Sequence, residues 1–188
     1  MNLPNILTLS RILLVPFFAL LYLSAWEYRY LGTASLFALA AFTDWLDGYL
    51  ARRLDQTTPF GAFLDPVADK IIVATALVLI VGHHADIWLT IPSLVIIGRE
   101  IVISALREWM AEMNRRGIVA VGWLGKLKTV LQMIAIVVLL ANPPGVDQPW
   151  VQLGYGLLYI AAVLTFWSMW LYLRAAWPAL QAGAEEQR

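Results

Sequence analysis

The chain reads DWLDGYLAR at residues 44–52 and GAFLDPVAD at residues 61–69. These two segments place four carboxylates in surroundings that are otherwise strongly apolar. An isolated ionised carboxylate is very costly in a low-dielectric medium, so such groups usually pair, bind a metal ion or face a wet cavity. The two segments therefore predict a polar site inside an apolar part of the molecule.

Helical spacing places the carboxylates on common faces. Residues at i, i+3, i+4 and i+7 share one side of a helix, and in the first segment these are Asp44, Asp47, Gly48 and Ala51. Asp65 and Asp69 stand at i and i+4 in the second. Two helices can thus direct two carboxylates each into one cleft, where hard cations such as Mg²⁺ or Mn²⁺ would neutralise them. Two such metals about 3.5–4 Å apart can clamp the attacking and leaving oxygens of a phosphoryl displacement.

Two glycines and an arginine accompany the carboxylates. Gly48 and Gly61 would let a ligand's phosphates or base approach the backbone, and Arg52 supplies a permanently charged donor for phosphate. Pro66 is expected in the first turn of the second helix, where its missing N–H costs little. The alternative is a set of structural salt bridges to Arg52, Arg53 and Lys70. Four acids with glycines at this spacing favour the metal site.

Composition indicates a membrane protein. Of 188 residues, 61% are hydrophobic and 14% are charged, and the mean hydropathy is +0.71. That is too apolar for an ordinary soluble domain. Thirteen basic and thirteen acidic residues give zero net charge, so no global field favours nucleic acid. The absence of cysteine excludes disulfides, thiolate metal sites and a cysteine nucleophile.

Six apolar stretches have about the 20 residues that a helix needs to cross roughly 30 Å of hydrocarbon. They are Ile6–Ala25, Leu31–Leu50, Phe63–Val81, Ile87–Leu106, Val119–Leu140 and Val151–Leu173. No linker or internal repeat separates them, so we predict an all-α integral membrane protein with six transmembrane helices and one domain over residues 1–188. Residues 1–10 lack a basic segment of the kind that opens a signal peptide, so the first stretch is expected to be a retained helix.

The basic residues predict the orientation. They concentrate at the second and fourth connections and in the tail: Arg52, Arg53, Arg107, Arg115, Arg116, Lys126, Lys128, Arg174 and Arg188. The odd-numbered connections offer only Arg29. By the positive-inside rule, both termini and the carboxylate cleft are cytoplasmic, in a multi-pass protein of the cell inner membrane. His83 and His84 are then expected at the far interface and not as ligands.

The pattern Asp44-x2-Asp47-Gly48-x2-Ala51-Arg52-x8-Gly61-x3-Asp65-x3-Asp69 resembles the defining motif of the CDP-alcohol phosphatidyltransferases, without a departure. Family members carry this motif on the second and third of six transmembrane helices. The resemblance implies that Asp44, Asp47, Asp65 and Asp69 bind two Mg²⁺ ions, with Mn²⁺ as an alternative. It also implies that CDP lies along Asp44, Gly48, Ala51, Arg52 and Gly61. Asp69 would accept the proton from the attacking alcohol.

Other segments resemble the glycerophosphate branch of the family: NLPNILTLSR at residues 2–11, GREI at 98–101, ALREW at 105–109 and GKLKT at 125–129. The resemblance implies that a phosphatidyl group passes from CDP-diacylglycerol to sn-glycerol 3-phosphate, among membrane lipids and in a homodimer. The same chemistry with another acceptor, phosphatidylglycerol or inositol phosphate, stays open.

Five basic residues are candidates for the acceptor's phosphate: Arg11, Arg99, Arg107, Lys126 and Lys128. Arg99 lies well inside a span, so phosphate contact and a structural ion pair, with Glu100 as a partner in the same helix, are both open. Lys126 and Lys128 point roughly 200° apart around a helix, so at most one is expected to face the cleft. For Arg11, phosphate contact and snorkelling to the interface are both open.

Two other classes of protein use acidic residues in membranes. A membrane prenyltransferase needs two separated Asp-rich motifs and more helices than this chain supplies. A cation transporter would leave Gly48, Arg52 and Gly61 without a role, and no internal repeat supports it. The sequence therefore favours a phosphatidyltransferase.

Overall fold

The computed structural model describes residues 3–53, 59–112 and 123–185. Within these ranges, no side chain is described at 3–5, 45, 47–52, 59, 62, 112, 123, 124, 126 and 178–185. The described backbone forms α1 (Leu3–Leu23), α2 (Arg29–Arg53), α3 (Pro59–His84), α4 (Ile87–Glu112), α5 (Trp123–Ala141) and α6 (Pro149–Glu185). These ranges contain no strand, and the prediction of an all-α protein is confirmed.

Several helices extend beyond the predicted apolar stretches. α6 continues to Glu185 instead of ending near Leu173. α3 begins at Pro59, so the expectation that Pro66 lies in a first turn is wrong. Inside the helix, the missing N–H of Pro66 leaves one carbonyl without its usual partner. The difference arises because hydropathy ends where polar residues begin, whereas helical hydrogen bonding can continue past that point.

The surface of the described residues is apolar and part of the interior is charged. Phe17, Leu20 and Val163 are each more than 60% exposed, whereas Arg11 and Lys128 are buried. This inverts the pattern of a soluble protein and is expected where lipid is the solvent. By length and composition, three helical segments can cross a membrane: Ile6–Leu23, Ile87–Ala111 and Pro149–Trp177. The molecule is thus a helical membrane protein, and the count of six spans stays a prediction.

The described helices pack in two groups. α1 packs against α2 and α3, while α6 packs against α5 and α4. Contacts of α2 with α5, and of α3 with α4 and α5, join the groups. Aliphatic and aromatic side chains from both groups, among them Phe37, Ala76 and Leu139, form the main buried core. Helices of both groups therefore pack against each other around one core.

The connection from α3 to α4 closes the end opposite the aspartates. Ala85 adopts a left-handed φ of 50°, and its N–H bonds to the carbonyl of Val81 at 2.9 Å, which ends α3. Asp86 caps α4 by accepting a hydrogen bond from the N–H of Trp88 at 3.0 Å. His84, at this end, has its pKa lowered by burial and by the neighbouring His83. About 22 Å of helix separates His84 from Asp69.

Gly154 permits the close approach of α6 to α5. A Cβ at this position would lie 2.7 Å from Cγ and Cδ2 of Leu139, whereas one at Gly156 would meet nothing within 4 Å. We expect Gly154→Ala to lower the free energy of unfolding by about 1–3 kcal/mol through overpacking. Gly156→Ala, the matched control, should leave it unchanged or slightly higher. Thermal unfolding in detergent measures both, and equal stability of the two variants would contradict the packing role of Gly154.

Candidate active site

Carboxylates from α2 and α3 meet at a buried arginine of α1. Arg11 is 1% exposed, and its Nη1 donates hydrogen bonds to Oδ1 of Asp44 and Oδ1 of Asp69, each at 2.6 Å. Its Nη2 lies 3.9 Å from Oδ1 of Asp65. α1 packs against both α2 and α3, which brings together residues distant in the sequence. Three of the four predicted carboxylates therefore surround one guanidinium group.

Thr8 takes part in the same cluster and was missed by the sequence analysis. Its Oγ1 donates a hydrogen bond to Oδ1 of Asp65 at 2.6 Å, and the residue is fully buried. Thr8 and Arg11 stand at i and i+3, on one face of a largely apolar helix. Two polar side chains with this spacing were the available signal that this face meets a polar partner.

Two of the carboxylates lie close enough together to share one cation. Oxygens of Asp44 and Asp69 each lie 2.6 Å from one nitrogen atom, so they are no farther apart than twice that distance. Carboxylate oxygens are the ligands that Mg²⁺ prefers, at about 2.0–2.1 Å. No three Asp, Glu or His side chains among those described, which exclude Asp47, lie close enough together to hold a metal by themselves. Binding of a metal ion would therefore require side-chain movements and further ligands.

Several predicted site residues lie outside the described side chains. Asp47, Gly48, Ala51 and Arg52 belong to the helical backbone of α2, and Lys126 belongs to that of α5, but nothing further is described of them. Gly61 lies at a buried position in α3. The CDP-binding assignment of these residues stays a prediction.

Two polar cavities adjoin the carboxylates. The first, of about 250 Å³, is bordered by Asp44 and Asp69. The second, of about 450 Å³, is bordered by Asp65 and Asp69. α4 contributes to both cavities, while α5 and α6 contribute to the first. The side chains lining both are Asp69, Lys70, Arg99, Glu100 and Arg107.

Apart from the aspartates, the charged side chains that line the cavities are mainly basic. Glu100 Oε1 lies 2.7 Å from Nη1 of Arg99 and 3.7 Å from Nζ of Lys128. One carboxylate therefore serves two buried cations. Arg107 and Lys70 make no ion pair with the residues whose side chains are described, and the guanidinium of Arg107 lies 6.0 Å from the ring centre of Tyr172. Apart from the aspartates, the lining of the first cavity carries four cations and one carboxylate, which favours an anionic ligand at those residues.

The predicted phosphate-binding residues divide into two groups. Arg99, Arg107 and Lys128 line the first cavity, and for Arg99 an ion pair with Glu100 accompanies that position. Arg11 instead contacts the carboxylates and is buried, so it does not snorkel to the interface. Lys70, which the sequence analysis considered only as a salt-bridge partner, lines both cavities.

Comparison with known proteins identifies the class of this molecule. Residues 1–167 match the model of the CDP-alcohol phosphatidyltransferase family, and the chain belongs to that family. The sequence-based assignment is confirmed.

Particular relatives are similar over nearly their whole length. A CDP-diacylglycerol–glycerol-3-phosphate 3-phosphatidyltransferase from Pseudomonas fluorescens is 58% identical, with 100% of this chain and 96% of the relative covered. Proteins with the same name from Sodalis glossinidius and Yersinia pestis are 54% and 53% identical. Their alignments cover 94% and 96% of this chain, and 95% and 97% of the relatives.

Arg11 should matter most when no divalent cation is present. Arg11→Ala removes two charge-assisted hydrogen bonds, each contributing about 1.5–3 kcal/mol, so we expect a clear fall in the thermal unfolding midpoint in EDTA. Mg²⁺ should restore part of the loss, because it can neutralise the same oxygens. Arg174→Ala, at an exposed position of α6, should show neither effect. An Arg11→Ala protein as stable as the parent in EDTA would contradict the charge-balancing role.

Proposed function

We propose that the protein transfers a phosphatidyl group from CDP-diacylglycerol to sn-glycerol 3-phosphate, which yields phosphatidylglycerophosphate and CMP. One observation carries the proposal: Asp44 and Asp69 border the same cavity as Arg99, Arg107 and Lys128. A carboxylate edge suits cations that bind a pyrophosphate, and a basic edge suits a phosphorylated alcohol. The names of the relatives specify the same donor and acceptor.

We assign the metal ligands to Asp44, Asp47, Asp65 and Asp69, with two Mg²⁺ ions, or Mn²⁺, as cofactors. The convergence of three of these carboxylates on Arg11 supports the assignment. When bound, the cations would neutralise charge on the pyrophosphate and on the departing CMP. Arg11 would remain beside the ligands as a fixed positive charge that orients their oxygens.

The donor's CDP group is assigned to Asp44, Gly48, Ala51, Arg52 and Gly61. The family motif supports this placement, and the buried position of Gly61 on α3 is compatible with close backbone approach. Its phosphate groups would then lie beside the aspartates, next to the cavity that holds the acceptor.

The acceptor's phosphate is assigned to Arg99, Arg107 and Lys128. These side chains line the cavity from α4 and α5. Lys128 and Arg99 share the single carboxylate of Glu100, so their charge is only partly neutralised within the protein. A phosphate dianion would complete the charge balance and accept several charge-assisted hydrogen bonds.

In the proposed reaction, the C1 hydroxyl of glycerol 3-phosphate attacks the phosphorus that carries diacylglycerol. The bond from that phosphorus to the bridging oxygen of CMP breaks, and CMP leaves with the electron pair. Asp69 accepts the hydroxyl proton. Asp69 borders both cavities, and Arg11 holds its Oδ1. Positioning and electrostatic stabilisation would supply most of the rate.

We also propose that the six helices all span the inner membrane as one domain, with the cleft and both termini on the cytoplasmic side. The basic residues near the aspartates support this orientation. The homodimer suggested by the family resemblance stays a prediction. Phosphatidylglycerol and inositol phosphate are the alternative acceptors, and the names of the relatives favour glycerol 3-phosphate over both.

The reaction can be tested with purified protein, labelled CDP-diacylglycerol and a panel of the three acceptors. We expect CMP release and a lipid product with glycerol 3-phosphate. Asp69→Asn should lower turnover by about 100-fold or more, and chelation should abolish activity until Mg²⁺ is restored. Asp147→Asn, which changes an exposed loop carboxylate, is the matched control. Product formed only with another acceptor would overturn the assignment of the substrate.

Acceptor and donor contacts can be separated by kinetics. Arg107 makes no ion pair with any described side chain, so Arg107→Ala leaves no described carboxylate unpaired. We expect KM for glycerol 3-phosphate to rise roughly 10- to 150-fold, with little change for CDP-diacylglycerol. Arg107→Lys should restore binding only partly, because a point charge cannot reproduce a bidentate fork. Arg174→Ala is the control, and a selective loss of donor binding would contradict the assignment.

A further inference from the structure

The first cavity contains a neutral polar side chain to which the proposed reaction assigns no role. Gln132 is 5% exposed and lines the cavity from α5. Its amide offers two N–H donors and one carbonyl acceptor, and none forms a hydrogen bond with any residue that the structure describes. The residue is buried as a whole, but its amide atoms are not among the fully enclosed polar atoms that lack a partner, so they are open to the cavity, where a ligand can pair with them. A cavity-facing amide without a protein partner points to a polar ligand.

The position of Gln132 relative to the charged residues of the cavity indicates which chemical groups the ligand carries. It follows Lys128 by one helical turn on the same face of α5, about 6 Å farther along the axis. Val73 stands in the same relation to Asp69 on α3, and it and Met133 supply apolar lining at this level. Gln132 thus offers uncharged hydrogen bonds just beyond the charged residues. A ligand reaching it would present a neutral polar group next to its anionic part.

The two aliphatic hydroxyl groups that line the cavities, those of Thr129 and Ser104, have their donors engaged. Thr129 Oγ1 donates to the carbonyl of Gly125 at 2.9 Å, and Ser104 Oγ donates to the carbonyl of Glu100. The ring of Tyr172, on α6, lies beside the guanidinium of Arg107 on α4, and Arg107 is one of the residues assigned to the phosphate. Gln132 is therefore the neutral group best placed to bind a hydroxyl beyond the phosphate.

We propose that Gln132 is a specificity-determining residue that binds a non-reacting hydroxyl of a small polyol phosphate, which under the proposed function is the C2 hydroxyl of glycerol 3-phosphate. This hydroxyl can donate to Oε1 and accept from Nε2 of the amide. The inference rests on the proposed function. It adds that the site rejects acceptors lacking the hydroxyl, because such acceptors leave the buried amide unpaired.

The test compares glycerol 3-phosphate with 3-hydroxypropyl phosphate, which keeps the phosphate and the attacking primary hydroxyl but lacks the C2 hydroxyl. The parent enzyme should favour glycerol 3-phosphate in kcat/KM by roughly 5- to 150-fold. In Gln132→Met, similar in length but apolar, the preference should fall to within about threefold, with KM for CDP-diacylglycerol unchanged. Gln152→Met, exposed at the other end of the helices, should keep the parent's preference.

The outcomes distinguish this inference from the function on which it rests. No transfer to either phosphate would refute the proposed function. Transfer to both with equal efficiency by the parent enzyme would refute the role of Gln132, whether or not the variant folds. An unchanged preference in a folded Gln132→Met protein, checked by thermal unfolding, would also refute it. A preference that collapses only in Gln132→Met would support it.

Discussion

Charged groups inside an apolar helical bundle must be neutralised where they lie, and the contact of Arg11 with three aspartates meets that requirement. The guanidinium of α1 bonds to Asp44 of α2 and Asp69 of α3. Arg11 is buried, whereas the side chains of Asp44 and Asp69 are 39% and 47% exposed, so loss of the aspartates would leave a buried positive charge without its partners. The relative positions of α1, α2 and α3 are therefore coupled to the geometry of the carboxylates, and with it to the edge of the cavity.

The cavity lining contains a group of carboxylates and a group of basic side chains, and the two groups attract different ligands. The aspartates are held by Arg11, which does not line the cavity, and the rest of the lining carries Lys70, Arg99, Arg107 and Lys128 with Glu100 among them. Cations would be drawn to one side and anions to the other. The cations would bind the pyrophosphate of a nucleotide-linked lipid, and the basic side chains would bind the phosphate of the alcohol a short distance away. Positioning two reactants in this way is the main contribution that a protein makes to phosphoryl transfer.

In this scheme, different residues determine the affinity for the acceptor and the selection among acceptors. The basic side chains contribute most of the attraction for the phosphate, but they would attract any phosphate ester of suitable size. A buried neutral amide contributes little to net affinity, yet it penalises a ligand that leaves it unpaired. The place of Gln132, one turn beyond Lys128 on α5, would let the site distinguish among phosphorylated alcohols without altering the reaction.

The sequence by itself determined the class of the molecule, because the patterns that define the class lie within short segments of the chain. Apolar length predicted six helices, and spacing within α2 and α3 predicted which carboxylates share a face. Only the tertiary structure decided which faces meet. The contacts of Arg11 with Asp69 and of Thr8 with Asp65 join residues 58 and 57 positions apart, and helical periodicity cannot specify such pairs. The same reason explains why Arg11 was expected at a phosphate or at the interface, why the sequence could not tell that Lys128 lines the cavity, and why Gln132 went unnoticed. In each case the chemistry depends on the helix that packs opposite.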